Sequence, residues 1–261
     1  MNNPDGDDDY VLESKLNKIR VHRTLGLANQ KQLALILDAV DENIDEQKGD
    51  KNAVGYFVSF LLVLGQAVDD ERIVDQLLAA LAAYFLDLVL PHTPPTLLKA
   101  KFQEILIKLA PALSNPDAEA PLVRLVLGAL ESLLLAQDHK QWTATLALTL
   151  PKRALVGLLE MLFDPRPKVR KRAQEAVHKV LTNPPPLPLP VHVAAPVACD
   201  IALTKLAQLL AETKNHKGGL KELNAQLIHC LQLIASITGA NAWPLTKVPE
   251  LCDVQIGRAH V

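Results

Sequence analysis

Between Pro151 and Leu181 the chain carries Lys152, Arg153, Arg166, Lys168, Arg170, Lys171, Arg172 and Lys179 against only Glu160, Asp164 and Glu175. Guanidinium and ammonium groups gathered on one surface hydrogen-bond phosphate oxygens, giving an affinity that depends on salt rather than on base sequence. Lys152, Arg153, Arg166, Lys168, Lys171, Arg172 and Lys179 are therefore candidate RNA-contacting residues. A competing reading makes them the solvated face of a helix, because no aromatic residues are interleaved to stack on bases. A second basic set, Lys15, Lys18, Arg20, His22 and Arg23, is open to the same two readings.

The rest of the chain narrows the chemistry. With 27 Lys+Arg against 29 Asp+Glu, the molecule as a whole has no field that would gather polyanions, so the basic segment is a local departure. His22, His92, His139, His178, His192, His216, His229 and His260 are scattered, and Cys199, Cys230 and Cys252 form no Cys-x-x-Cys pair. No metal site or disulfide framework is encoded in such spacing. Glycine-rich phosphate loops and nucleophile or zinc-protease motifs are absent, and the chain has only 11 glycines. The expectation is a protein with no catalytic residues, no cofactor and no small-molecule substrate. The longest apolar runs, "VSFLLVLGQAV" and "LVLGALESLLLA", fall short of the roughly 20 residues that cross a bilayer, so no membrane partner is expected. Trp142 and Trp243 sit amid apolar residues and read as core rather than as stacking platforms.

The elements that must position the basic residues are helices. Apolar residues recur at three- and four-residue spacings nearly everywhere, which predicts an all-α fold. The pattern places helices near 10–24, 28–47, 53–66, 71–89, 95–110, 118–136, 151–163, 167–182, 193–214 and 219–238. In the fourth, Ile73, Leu77, Leu78, Leu81, Tyr84, Phe85 and Leu88 are expected on the buried face. Breaks fall at Gly49-Asp50, Pro91, Pro94-Pro95, Pro116, Pro151, Asp164-Pro165 and Gly218-Gly219. Helical pairs repeating every 40 residues or so suggest a HEAT/armadillo-like α-solenoid, with a single globular bundle as the alternative.

The stretch "ALVGLLEMLFDPRPKVRKRAQEAVHKVL" follows the HEAT pattern most closely. Asp164 can cap the second helix or bond turn amides, Pro165 suits the turn, and Val169, Ala173, Ala176, Val177 and Val180 form the buried stripe. Asp164, Pro165 and Arg170 are assigned to the repeat turn, with Arg170 as a ladder residue between repeats. The expected organisation is an acidic disordered tail over 1–9, a helical-repeat array over 10–182 and a proline-rich connector over 183–192. A further helical pair over 193–250 and an irregular C-terminus over 251–261 complete it. The final "IGRAHV" reads like translated sequencing adapter, so 255–261 are expected to be an artefact ending an N-terminal fragment.

Three stretches carry a resemblance to a known family: "SKLNKIRVHRTLGLANQKQLALILDAVDENI", "YFVSFLLVLGQAV" and "LDLVLPHTPPTLLKAKFQEIL". They resemble the N-terminal region of the ribosomal RNA-processing protein twelve family, continuously over about 12–113 and more loosely to about 251. The resemblance implies a non-enzymatic HEAT-repeat scaffold in ribosome biogenesis. Its implied partners are pre-ribosomal proteins, ribosomal RNA and the nuclear transport machinery, in nucleus and nucleolus with shuttling to the cytoplasm. It transfers no catalytic residues. The alternative function is a karyopherin-like adaptor that binds protein cargo without touching RNA.

Overall fold

The computed structural model describes residues 4–69, 72–143, 149–183, 191–215, 220–239 and 243–256. These form α1 (Pro4–Leu25), α2 (Ala28–Glu46), α3 (Ala53–Ala67), α4 (Gln76–Val89), α5 (Pro95–Ala100), α6 (Phe102–Ser114) and α7 (Ala120–Leu135) in a first compact unit, Met1–Ala136. A second unit, Gln137–Val261, holds α8 (His139–Thr143), α9 (Leu150–Glu160), α10 (Pro167–Thr182), α11 (Ala195–Asn215), α12 (Leu220–Gly239) and α13 (Val248–Ile256). No strand occurs among the described residues, where pairing is limited to an isolated antiparallel bridge between Val68 and Ile73.

In the first unit α1 packs on α2, α3 on α4 and α6 on α7, and α4 lies against the next pair through α7. The second unit repeats the scheme with α11 on α12, α9 against α11 and α10 against α12. Local chemistry sets the helix starts. Asn52 accepts from the Gly55 amide at 2.9 Å, and Asp75 accepts from the Leu78 amide at 2.9 Å. Each cap satisfies a donor that the first turn leaves orphaned, worth about 1 kcal/mol. Gly55 is required where it stands, because a Cβ there would collide with the Asp50 carbonyl. Helix α2 ends through Lys48, whose φ of 53° is left-handed, while the Gly49 amide reaches back to the Ile44 carbonyl at 2.9 Å.

Aromatic stacking dominates the first core: the Phe60 ring lies on Phe85 at 4.3 Å between centroids and only 4° between planes. In the second core Trp142 is wholly buried and meets His192 edge-on at 4.7 Å. Burial lowers the His192 pKa to about 4, so the imidazole is neutral and its Nδ1 accepts from the Ala194 amide at 3.1 Å. Burial likewise pushes the Cys199 thiol up to about 12 and the Cys230 thiol up to about 11. Cys230 also donates to the Ala202 carbonyl at 3.4 Å, and Cys252 is exposed. Trp243 is buried as expected.

Several expectations need correction. Residues 4–9, read as a disordered tail, open α1, since Pro4 suits a first helical turn and acidic residues favour a helix N-terminus. The fourth helix starts at Gln76, because the Val68–Ile73 bridge and the Asp75 cap occupy the preceding residues. Its buried stripe is Ala79, Ala82, Ala83, Phe85, Leu86 and Val89, whereas Leu77 is 52% exposed. Small alanines let α4 press closely against α3 and α7, so close approach outranks side-chain size in choosing the face.

The fifth expected helix is two, broken at Lys101, and the second runs through Pro111 to Ser114. The units divide after Ala136 rather than at the proline-rich segment, because α9 and α10 share a core with α11 and α12. Of that connector, 184–190 lie outside the described residues. Residues 251–256, expected to be irregular, complete α13, which packs on α11, while 257–261 lie outside the described residues. The short helix α8 was also missed.

Candidate nucleic-acid interface

The basic segment starts on α9. Buried Thr149 accepts from the Lys152 amide at 3.4 Å, and Pro151 occupies the first turn, so Lys152 and Arg153 emerge at the N-terminal end of the helix. Arg153 is exposed and Lys152 half-buried. A 3-10 turn at Met161–Phe163 then carries the chain to Asp164.

Asp164 organises the turn. Its Oδ1 accepts from the Arg166 amide and from Arg166 Nε, each at 2.8 Å, and its Oδ2 accepts from Nη2 at 2.6 Å. Its side chain is only 7% exposed. Burial opposes its charge, but the Arg166 side chain and amide, aided by Arg170, outweigh that and hold its pKa below the usual value. The expected amide-bonding role is thus realised, whereas the cap position is Arg166 itself, with no side-chain cap. Arg166, expected among the phosphate-contacting residues, is folded back onto Asp164 in a bidentate pair. Among the described residues Arg170 meets no carboxylate of another repeat: its Nη1 donates to the carbonyls of Asp164 at 2.6 Å and Pro165 at 2.8 Å. The supposed ladder residue clasps its own turn.

Helix α10 then buries Val169, Ala173, Ala176, Val177, Val180 and Leu181, the stripe read from the sequence with Leu181 added. Lys168, Lys171 and Lys179 are exposed and Arg172 half-buried on the remaining surface. Lys168, Arg170, Lys171 and Arg172 thus crowd the first turns, and Lys152 and Arg153 do the same on α9. Positive charge at a helix N-terminus opposes the helix dipole by about 0.3–1 kcal/mol per residue at exposed sites. Lys152 and Lys168, in the first turns of α9 and α10, are therefore not placed to stabilise their helices through the dipole.

A cleft of about 270 Å³ opens between α10 and α12, lined by Leu162, Pro167, Arg170, Lys171, Gln174, His229 and Gln232. His229 Nδ1 lies 3.4 Å from Gln232 Oε1, a contact that is a hydrogen bond in the tautomer with the proton on Nδ1. Gln174, His229 and Gln232 were not foreseen. Only the three-residue spacing of His229 and Gln232 on one helix face hinted at their pairing.

The N-terminal basic set is mostly spoken for. Arg20 donates to Asp41 (Nε 3.0 Å, Nη2 2.9 Å), to Glu13 at 2.7 Å and to the Tyr56 hydroxyl at 2.8 Å. Tyr56 in turn donates to Asp41 at 2.7 Å, so this knot ties α1, α2 and α3 together. Burial works against the Arg20 charge, yet the Asp41 hydrogen bond and charge prevail and its pKa is raised. Burial and the bond to Asp41 raise the Tyr56 pKa as well. Arg23 pairs with Asp38 at 3.1 Å, and Lys15 reaches His92 at 3.2 Å. Arg20 is thus taken up in holding helices together, while Arg23 keeps a side chain that is 65% exposed.

A family model described as RRP12-like, N-terminal HEAT repeats, matches residues 27–240 and so spans α9, α10 and the cleft. The chain belongs to the RRP12-like family. Its fold is accordingly an all-α HEAT/armadillo-type solenoid, which decides against the bundle alternative. The chain is 44% identical over 259 residues to ribosomal RNA-processing protein 12 of Saccharomyces cerevisiae, covering 94% of this chain and 21% of that protein. It is 30% identical over 243 residues to the putative ribosomal RNA-processing protein 12 of Schizosaccharomyces pombe, covering 92% of this chain and 20% of that protein. RRP12-like protein of Homo sapiens is 28% identical over 214 residues, covering 80% of this chain and 15% of that protein. This chain thus spans about a fifth of the length of its two fungal RRP12 relatives. No solved structure matches.

Proposed function

We propose that this chain is a non-enzymatic helical-repeat scaffold of ribosome biogenesis that contacts pre-ribosomal RNA through α9 and α10. It would act in the nucleus and nucleolus with pre-ribosomal proteins and the nuclear transport machinery, assisting rRNA maturation and subunit export. The supporting observation is the crowding of Lys152, Arg153, Lys168, Lys171 and Arg172 at two helix N-termini, where Lys152 and Lys168 oppose the dipole and favour an anion. The names of the fungal relatives point to ribosomal RNA processing as the setting.

The test is RNA affinity across a salt series for the parent chain and for Lys168→Glu/Lys171→Glu, with circular dichroism to verify folding. The expected result is at least a tenfold loss of affinity at low salt and a flatter salt dependence in the variant. Equal weak binding by both proteins would return the cluster to a solvated repeat face.

A second reading, the protein-only transport adaptor, rests on a different groove. Gln32, Leu35, Ile36, Asp75, Leu77, Leu78 and Leu81 line an open, mostly apolar cleft between α2 and α4. A surface of that kind suits an amphipathic segment of a protein partner.

A further inference from the structure

We infer that the cleft between α10 and α12 is a discrete seat for one phosphate group of the RNA backbone, formed by Arg170, Lys171, Gln174, His229 and Gln232. The inference rests on the RNA-contact reading above and adds to it a defined pocket with residues from a second helix. Beside Leu162 and Pro167, the lining residues Arg170, Lys171, Gln174 and Gln232 all carry hydrogen-bond donors, and no carboxylate lines the cleft among the described residues.

The donors are also held in place. Arg170 Nη1 is pinned by the Asp164 and Pro165 carbonyls, which fixes the guanidinium plane. Among the described residues its Nε and Nη2 hydrogens meet no acceptor. A rigid fork with two donors left over matches the geometry of a phosphate's oxygens. The carboxylate behind it, Asp164, is already engaged by Arg166. Across the cleft, His229 and Gln232 are neighbours on one face of α12, with Nδ1 and Oε1 3.4 Å apart, and Gln232 keeps its amide hydrogens for a phosphate oxygen.

One feature favours an RNA phosphate over a phosphorylated peptide. Beside the lining residue Lys171, exposed Lys168 on the first turn of α10 carries positive charge past the cleft. A helix of 16 residues is roughly 24 Å long, enough to follow several nucleotides.

The experiment compares the parent chain with His229→Ala/Gln232→Ala, both changes lying outside the α9 and α10 ridge. The probes are inorganic phosphate against chloride at equal ionic strength, a single-stranded RNA and a phosphoserine peptide. Phosphate is expected to perturb the NMR signals of His229 and its neighbours, and the double variant to lose three- to tenfold in RNA affinity while keeping its helicity. RNA binding that is undiminished in the double variant, with no phosphate-specific perturbation, would overturn the cleft and leave the ridge reading standing. Absence of RNA binding by the parent chain, even with phosphate perturbing His229, would overturn both. Tighter binding of the phosphoserine peptide than of RNA would overturn the assignment to RNA.

Discussion

Each unit opens a cleft between the second helices of successive pairs, and the two clefts have opposite chemistry. Between α2 and α4 the walls are mainly leucine and isoleucine, with Gln32 and Asp75, whereas between α10 and α12 they are mainly arginine, lysine, histidine and glutamine, with Leu162 and Pro167. The arginines differ in parallel. In the first unit Arg20 is consumed by Asp41 and Glu13 in holding helices together, and Arg23 pairs with Asp38. In the second, Arg166 is neutralised by a carboxylate of its own turn, while Arg153, Lys168 and Lys171 are exposed. A helical repeat fixes the buried stripe of each helix and leaves the surface between repeats free to vary. One architecture can therefore carry a protein-binding groove and a polyanion surface without altering its packing.

The largest test of that contrast is acidification. His192 has a folded pKa of about 4 against an ordinary value of 6.5, so it supports folding fully above pH 6.5. That support is lost as pH falls toward 4, by about 3 kcal/mol in all. Both tryptophans, Trp142 and Trp243, lie in the second unit, so their fluorescence reports its unfolding selectively. Denaturant midpoints followed by tryptophan emission should fall between pH 7 and 4.5, and His192→Gln should flatten the dependence. An unchanged midpoint would mean that the imidazole is not held neutral.

A smaller effect, about 2 kcal/mol, is expected for Asp41→Ala, which strands a partly buried guanidinium and the Tyr56 hydroxyl. Chemical denaturation should show the loss while RNA affinity stays within twofold of the parent. A large drop in affinity at unchanged stability would move the N-terminal arginines back among the phosphate contacts. Smallest is Leu35→Gln/Leu77→Gln, at two exposed sites of the apolar cleft. Stability should change by no more than about 0.5 kcal/mol and RNA binding not at all. If these changes alter RNA affinity as much as is expected of Lys168→Glu/Lys171→Glu, the two clefts are not separate in function.

Periodicity made most helices legible and placed the α10 stripe from Val169 to Val180 correctly. It failed on α4 because both of its faces are apolar, and only the neighbouring helices decide that the alanines go inward. The break at Lys101 and the helix running through Pro111 likewise depend on tertiary packing that overrides local propensity. At the candidate site, counting charges found the basic cluster but could not tell outward cations from those folded back. Arg166 and Asp164 are two residues apart and yet form a bidentate pair, while His229 and Gln232 reach the cleft from a helix some 60 positions later in the chain. Contacts of both kinds are invisible to a pattern read along one helix.

The buried thiols have a practical corollary. Alkylating reagents attack thiolates, and Cys199 and Cys230 are held in the protonated form well above neutral pH within the packed second unit. Exposed Cys252 is then the one sulfur of the three open to maleimide in the native fold. A single fluorophore can be attached at α13 without mutating the chain, giving a donor whose energy transfer to labelled RNA would measure where along the second unit the strand lies.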